Sequence, residues 1–364
     1  MSITTPSGRP GTLLGYGLGQ GTRMAWYLGN YVATRAWFAR IDPGERRRPT
    51  LRGRLMGARI QAALTRGALR LMARDAAHVR QGTYPMPADL RPRPGAVGEM
   101  AGYWRDLPKV ALRRRMKQGQ EPAAQPLPDE EGGYPRYYLQ NFHYQSGGWL
   151  TEESADLYDT QVEVLFGGLA QAMRRQGVVP VVDWLRARGS PDGAEFGAGY
   201  TLLDLATGTG AMLEAVGQAA PGLDLHGLDL SRAYLDKAQR RLAGRNVTWH
   251  RAKAEAIPLP DASVDLVTAT YLFHELPKKI RAAVLAEVLR VLKPGGRLVL
   301  VDSLQLGDTP ALDPVLRSFP DQFHEPYYAD WIGSDVPGLM EAAGFSVDGV
   351  TKAYLSKVFV AGKR

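Results

Sequence analysis

The sequence predicts an α/β fold: a mostly parallel sheet with helices on both faces in the C-terminal half, preceded by a basic, largely helical extension. Three observations predict it. From Thr201 onward, short apolar runs alternate with helix-compatible segments. The first run, Thr201-Leu-Leu-Asp-Leu-Ala-Thr-Gly-Thr-Gly210, ends in a glycine turn that leads straight into Ala-Met-Leu-Glu-Ala-Val. Charge is divided unevenly: residues 1–120 hold 22 Lys/Arg against 6 Asp/Glu, and the remainder holds 23 against 31.

In chain order, residues 1–133 form the extension. Met24 to Arg40 is an aromatic-rich helical candidate. Leu51 to Val79 is a longer one, in which Leu55, Ile60, Leu64, Leu71 and Met72 interleave with six arginines. Trp and Phe beside Arg is the composition of a helix at a lipid interface. Three readings stay open for residues 1–80: packing on the C-terminal unit with the arginines in water, contact with an anionic membrane surface, or a grip on nucleic acid. Gln81–Gly98 and Gly119–Pro135 are rich in Pro and Gly and read as loops or linkers, with Glu121–Glu131 composed like a disordered stretch.

Residues 134–199 form an aromatic segment with connecting helices. Tyr134 to Leu150 packs four Tyr, one Phe, one Trp and one His into seventeen residues, and Thr151-Glu-Glu-Ser then starts a helix. This segment is either a satellite core under a long loop or a lid over a binding site, supported by Tyr158-Asp159 on the next helix.

Residues 200–364 carry the sheet. Gly208 and Gly210 allow positive φ and close ligand approach. Bare amides at such a strand-to-helix turn hold nucleotide-like ligands. Dinucleotide sites share the Gly-x-Gly pair but want a third small residue where Leu213 stands. Leu223 to Asp229 reads as a second strand ending in a carboxylate that can accept from ribose hydroxyls. The third strand, from Asn246, leads to small and polar residues before Pro258, suited to an adenine edge. Ser263–Thr270 is a buried fourth strand, followed by Tyr271-Leu-Phe-His-Glu-Leu-Pro277. A helix, a Leu292–Arg297 turn and the strand Leu298–Asp302 come next. The ligand belongs beyond the carboxyl ends of the central strands.

These five ordered motifs, over roughly residues 200–364, resemble the class I S-adenosylmethionine-dependent methyltransferases, and within them the ubiquinone/menaquinone C-methyltransferase branch of small-molecule enzymes. The resemblance implies a Rossmann-like seven-stranded sheet closed by a terminal antiparallel hairpin, for which Phe345–Val350 and Tyr354–Ala361 are placed. It implies S-adenosylmethionine as cofactor. Asp204, Ala206, Thr207, Gly208 and Gly210 would wrap its methionine end, Asp229 with Leu230 beside it would meet the ribose, Ala254 and Glu255 would line the adenine, and Thr270 and Tyr271 would lie near the sulfonium. Two positions depart from the family. Ala206 replaces the first glycine of the loop, and Lys253 stands where an aspartate usually meets the adenine amino group. A lysine cannot accept that bond, which leaves Glu255 or backbone carbonyls.

Read as a lid, the aromatic segment would supply cation–π attraction to a sulfonium and a wall for a flat acceptor. Methyl transfer is an in-line displacement that rewards positioning, and a phenol, enol or activated ring carbon also needs a base. His274 and His324 lie in loops at the ligand-facing edge, the latter beside Glu325, and His143 lies in the lid. Tyr328, with Tyr327, reads as substrate wall. His78, His226 and His250 read as structural or exposed.

The absence of cysteine removes disulfides, Cys-based zinc sites, cysteine-ligated clusters and a cysteine nucleophile; no metal centre is expected. No apolar run approaches the length of a spanning helix, and the start, Met-Ser-Ile-Thr-Thr-Pro, has no secretory pattern. The reading is a cytoplasmic enzyme, with peripheral membrane contact through its front, that methylates a small aromatic or isoprenoid-like acceptor. A nucleic-acid methyltransferase gripping through the basic arm competes with it. Against that, Thr270-Tyr-Leu-Phe stands where amino-directed adenine enzymes carry Asn/Asp-Pro-Pro-Tyr, and no familiar RNA-binding module appears. A non-catalytic cofactor-binding subunit is the third option.

Overall fold

The computed structural model describes residues 10–41, 50–91, 94–117 and 134–363. Three long helices come first: α1 (Pro10–Ile41), α2 (Leu51–Arg80) and α3 (Ala96–Met116). α4 (Glu152–Leu165), α5 (Ala170–Arg175) and α6 (Val178–Arg188) lead to the sheet. Then β1 (Thr201–Leu205), α7 (Ala211–Ala219), β2 (Asp224–Asp229), α8 (Arg232–Arg241), β3 (Val247–Arg251), β4 (Val264–Thr270), α9 (Lys278–Val291) and β5 (Leu292–Ser303) alternate as expected. α10 (Asp313–Phe323), α11 (Tyr328–Ile332) and α12 (Val336–Ala342) precede the hairpin of β6 (Phe345–Ala353) and β7 (Ser356–Lys363).

The seven strands lie in the order β3-β2-β1-β4-β5-β7-β6. β1 to β5 pair in parallel, and β7 runs antiparallel between β5 and β6. Alternation along β1 sends Leu202 to one face, against Val182, Leu185, Met212 and Val216, and Leu203 and Leu205 to the other, against Val284, Leu285 and Val288. Two cores thus sandwich the sheet, and strand order reverses between β1 and β4, which opens a crevice at their carboxyl ends.

Local chemistry sets the starts. The Thr151 hydroxyl accepts the Ser154 amide and the Ser231 hydroxyl accepts the Tyr234 amide, capping α4 and α8. Gly210, at φ +79°, turns β1 into α7.

Three sequence expectations change. α1 begins at Pro10, well before Met24, because its buried face recurs at Tyr16, Gln20, Tyr27 and Thr34. The linker assigned to Gln81–Gly98 ends early, since α3 starts at Ala96; Gly98, Gly102 and Pro108 inside that helix masked it. The Leu292–Arg297 turn belongs to β5, whose pairing jumps from Val264–Leu292 to Leu266–Arg297, with Gly295 at φ +75° absorbing the extra residues. The stretch from Gly119 to residue 133, with its Glu121–Glu131 portion, lies outside the described residues.

The front helices are tied to the sheet unit by buried charge. Asp75 of α2 is fully buried and takes Arg175 bidentately, at 3.1 and 2.6 Å, together with the Tyr16 and Tyr84 hydroxyls at 2.7 and 2.6 Å. Arg175 also reaches Asp89 at 2.8 Å, and Arg23 reaches Glu163 at 2.7 Å. Burial would raise the Asp89 carboxyl, but Arg175 and Arg23 hold it below the usual carboxylate range. Arg23 is thus buried against the sheet unit, whereas Arg52, Arg54, Arg59, Arg66 and Arg70 of α2 are exposed. Among the described residues no helix is long and apolar enough to cross a membrane.

Candidate active site

The turn after β1 is the floor of the site. Ala206, Gly208 and Gly210 all take left-handed φ, +53°, +55° and +79°. A Cβ on Gly208 would meet nothing closer than the Ala206 carbonyl at 4.0 Å, so the loop's face is open. Ala206 accepts strain there that glycine would avoid. Beneath the loop, Asp204 is buried and takes the hydroxyls of Thr207 and Thr268, both at 2.7 Å; burial pushes its carboxyl up to about 6.

At the end of β2, Asp229 accepts the Gly208 and Ser231 amides, each at 2.8 Å. Burial pushes it up to about 6, against the opposing pull of those amides. A cleft opens beside it. Its walls include Ala206, Gly208, Asp229, Leu230, Lys253, Ala254, Thr270 and Tyr271, together with Glu275. Asp204, Thr207 and Gly210 support this surface from behind rather than lining it. Glu255 turns to the lid, where the Tyr137 hydroxyl donates to it at 2.6 Å. Its other oxygen and the hydroxyl of Thr270 in the cleft wall are buried without a hydrogen-bond partner among the described residues.

The aromatic segment borders the cleft and also builds a small core of its own, in which Phe142 and Trp149 are buried with Ala155, Ala233 and Tyr234. Tyr137, Tyr138, Phe142 and Trp149 line the cleft with Tyr158 of α4 and Tyr234 of α8. Trp149 meets Tyr158 and Tyr234 edge-on at 5.4 and 5.5 Å and stacks on Phe142 at 5.6 Å. Asp159, next to Tyr158, accepts the Thr209 hydroxyl at 2.9 Å and so ties α4 to the glycine loop.

Arg174 was not singled out in the sequence. It is 5% exposed and has no carboxylate or carbonyl acceptor among the described residues. Its guanidinium lies 5.9 Å from the centre of the Tyr271 ring, and its charge acts on Asp204 and Asp159.

Behind the β4 end sits a titratable group of five. His274 Nδ1 bonds Asp302 at 2.8 Å, His274 Nε2 lies 4.0 Å from Glu275, and Glu325 pairs with His143 at 2.8 Å. Ligand-type atoms of His274, Glu275 and Glu325 fall within 4.8 Å of one another. Burial would lower His274, but Asp302, with Glu325 and Glu275, raises it to about 9. Burial drives Glu275 well above the ordinary range.

None of the four candidates His143, His274, His324 and Tyr328 lines the cleft itself; Glu275 does, and the sequence reading passed over it. His324 does not share the Glu325 carboxylate. It caps α10 at φ +48°, points Nε2 at Gln140 at 3.2 Å and meets the Tyr144 ring at 5.5 Å. Tyr328 is buried between His274 and Phe319. The only signal for Glu275 was its place in Phe273-His-Glu, repeated as Phe323-His-Glu.

Residues 202–296 match the methyltransferase domain family. The ubiquinone/menaquinone biosynthesis C-methyltransferase of Desulfotalea psychrophila is 35% identical over 202 residues, 56% of this chain and 70% of that protein. The demethylmenaquinone methyltransferase of Thermus thermophilus is 39% identical over 103 residues, 28% of this chain and 46% of that one. A methyltransferase of Aquifex aeolicus of known structure is 24% identical, covering 46% of this chain and 84% of its own at a TM-score of 0.36. With its seven-stranded sheet, its glycine loop beneath an acidic β2 end and this kinship, the chain belongs to the class I S-adenosylmethionine-dependent methyltransferases.

Proposed function

We propose that the protein methylates a small aromatic or lipophilic acceptor of quinol, phenol or isoprenoid type. The observation that supports this most is the roof of the cleft: six aromatic side chains face it, and Glu275 is the ionisable group that joins them away from the Asp229 end. Of the relatives above, the Desulfotalea protein is named a ubiquinone/menaquinone biosynthesis C-methyltransferase and the Thermus protein a demethylmenaquinone methyltransferase.

The residues fit the cofactor. Asp229 presents a carboxylate held by amides alone, Thr270 a buried hydroxyl without a partner among the described residues, and Arg174 a buried guanidinium beside Tyr271 whose charge reaches Asp204 and Asp159. These suit ribose hydroxyls, the methionine end and its carboxylate respectively. When bound, S-adenosylmethionine supplies a methyl group made electrophilic by the sulfonium charge.

The chain supplies position and proton handling. Aromatic faces attract a cation and exclude water. Glu275 lines the cleft, and in its ionised form, which the charge of His274 favours against burial, it is placed to accept a phenolic proton as the acceptor attacks. His274, held protonated by Asp302, keeps Glu275 oriented and offsets its charge. His143 and Tyr328 shape this group, and His324 anchors the lid through Gln140.

The test is incubation with methyl-labelled cofactor and separate pools of demethylated quinols, phenols and RNA. Label extracted with the quinol or phenol into organic solvent is the expected result. Label in RNA would support the competing reading, and no transfer to any pool would make the protein a binding subunit.

A further inference from the structure

We propose that the end of the front layer where α1 finishes, α2 begins and α3 finishes docks on an anionic lipid surface. The lipid-like acceptor proposed above fits this placement, but the docking rests on separate observations.

The three helix ends coincide. α1 and α2 run antiparallel, since the Tyr16 hydroxyl near the start of α1 reaches Asp75 near the end of α2. α1 and α3 run parallel: Thr34 meets Tyr103, and Arg114 in the last turn of α3 lies 5.3 Å from the centre of the Phe38 ring in the last turn of α1. Residues 36–41, 50–59 and 110–117 contain eight Lys or Arg and no Asp or Glu. Among these cations stand Ile41, Leu51, Leu55, Met56, Leu112 and Met116, between 47% and 76% exposed.

Large apolar side chains left in water among arginines need a partner that takes both. Nucleic acid would engage the cations and leave Leu51 and Leu55 wet. An anionic bilayer accepts the apolar tips below its headgroups and the cations at them. α1, which holds no acidic residue along its length, shows Leu14, Leu18 and Val32 outward as well. The same end is joined to the lid: Arg113 donates to the Tyr144 carbonyl at 2.8 Å and to the Ser146 hydroxyl at 2.6 Å, within the segment whose Phe142 and Trp149 line the cleft.

Flotation of the full chain with phosphatidylcholine vesicles, with and without phosphatidylglycerol, tests this. Binding is expected only to the anionic vesicles and should weaken as salt is added. Arg52→Ala or Arg59→Ala is expected to lower the partition coefficient about fivefold at low salt. Leu55→Asp combined with Met116→Asp should abolish flotation while leaving calorimetric cofactor affinity intact, which certifies the fold. Equal flotation on neutral vesicles, no flotation, or release of the protein from vesicles by RNA at low concentration would overturn the proposal. Vesicle binding needs neither acceptor nor turnover, so its failure leaves the methyl-transfer reading standing, and the reverse also holds.

Discussion

His274 Nδ1 lies 2.8 Å from the buried carboxylate of Asp302, and that pair raises the imidazole to about 9 although burial alone would lower it. Asp302 also accepts the Phe273 amide at 3.0 Å, so the same carboxylate fixes the backbone after β4. The pair is therefore a structural latch as well as a charge.

Its stability contribution has a definite sign. The folded value exceeds the roughly 6.5 of an unfolded histidine, so the contribution is complete below about pH 6.5 and is lost as pH rises through about 9. It is worth about 3 kcal/mol at most. Asp302→Asn should therefore lower the melting temperature strongly near neutral pH, and the gap to wild type should narrow as alkali removes the His274 proton. A gap that stays constant with pH would contradict this.

Cofactor binding should depend on pH through Asp229. Its carboxyl titrates near 6, and a protonated form loses acceptor capacity for ribose hydroxyls. Affinity for S-adenosylmethionine is expected to fall by up to about tenfold per unit below that value. Asp229→Ala should cost about 1.5–3 kcal/mol in calorimetry and flatten that dependence.

Arg174→Gln separates the two ends of the cofactor. Loss of the cation should weaken S-adenosylmethionine by roughly ten- to a hundredfold. 5′-Methylthioadenosine, which lacks the amino-acid carboxylate, should bind the variant and the wild type alike. Equal weakening of both ligands would show that Arg174 only supports the fold.

Glu275→Gln keeps shape and removes the base. Turnover should drop by about 10² to 10⁴ with cofactor affinity unchanged, and the acid limb of the pH–rate profile should disappear. A matching loss of cofactor affinity would place Glu275 in binding instead.

Asp75→Asn leaves Arg175 without half of its buried countercharge. The expected cost is about 3–5 kcal/mol in denaturant unfolding, with the front helices and the sheet losing structure in one transition.

The centre of the sheet was legible because its strands there are runs buried on both faces and punctuated by Gly, Pro or Asp, as in Val264–Thr270 and Leu298–Asp302, whereas the edge strands β3 and β6 are only partly buried. Gly208 and Asp229, singled out in the sequence, come to one edge of the cleft because β1 and β2 end there. α3 was not legible, because its glycines and proline lower local helix propensity and only packing against α1 and α4 stabilises it.

Pairings distant in sequence were equally hidden. Adjacency in Phe323-His-Glu suggested that His324 works with Glu325, yet the left-handed turn at His324 sends the two side chains to different partners. Arg174 and Arg175 look alike in the sequence; helical rotation alone sends one to Asp75 and the other toward the cleft.

The 134–150 segment is stitched down from several sides: Tyr137 to Glu255, Gln140 to His324, Trp149 through its carbonyl to Ser231, and Tyr144 and Ser146 to Arg113. Lifting that segment away would break several hydrogen bonds together, so the cleft beneath it is only as accessible as this seam is weak.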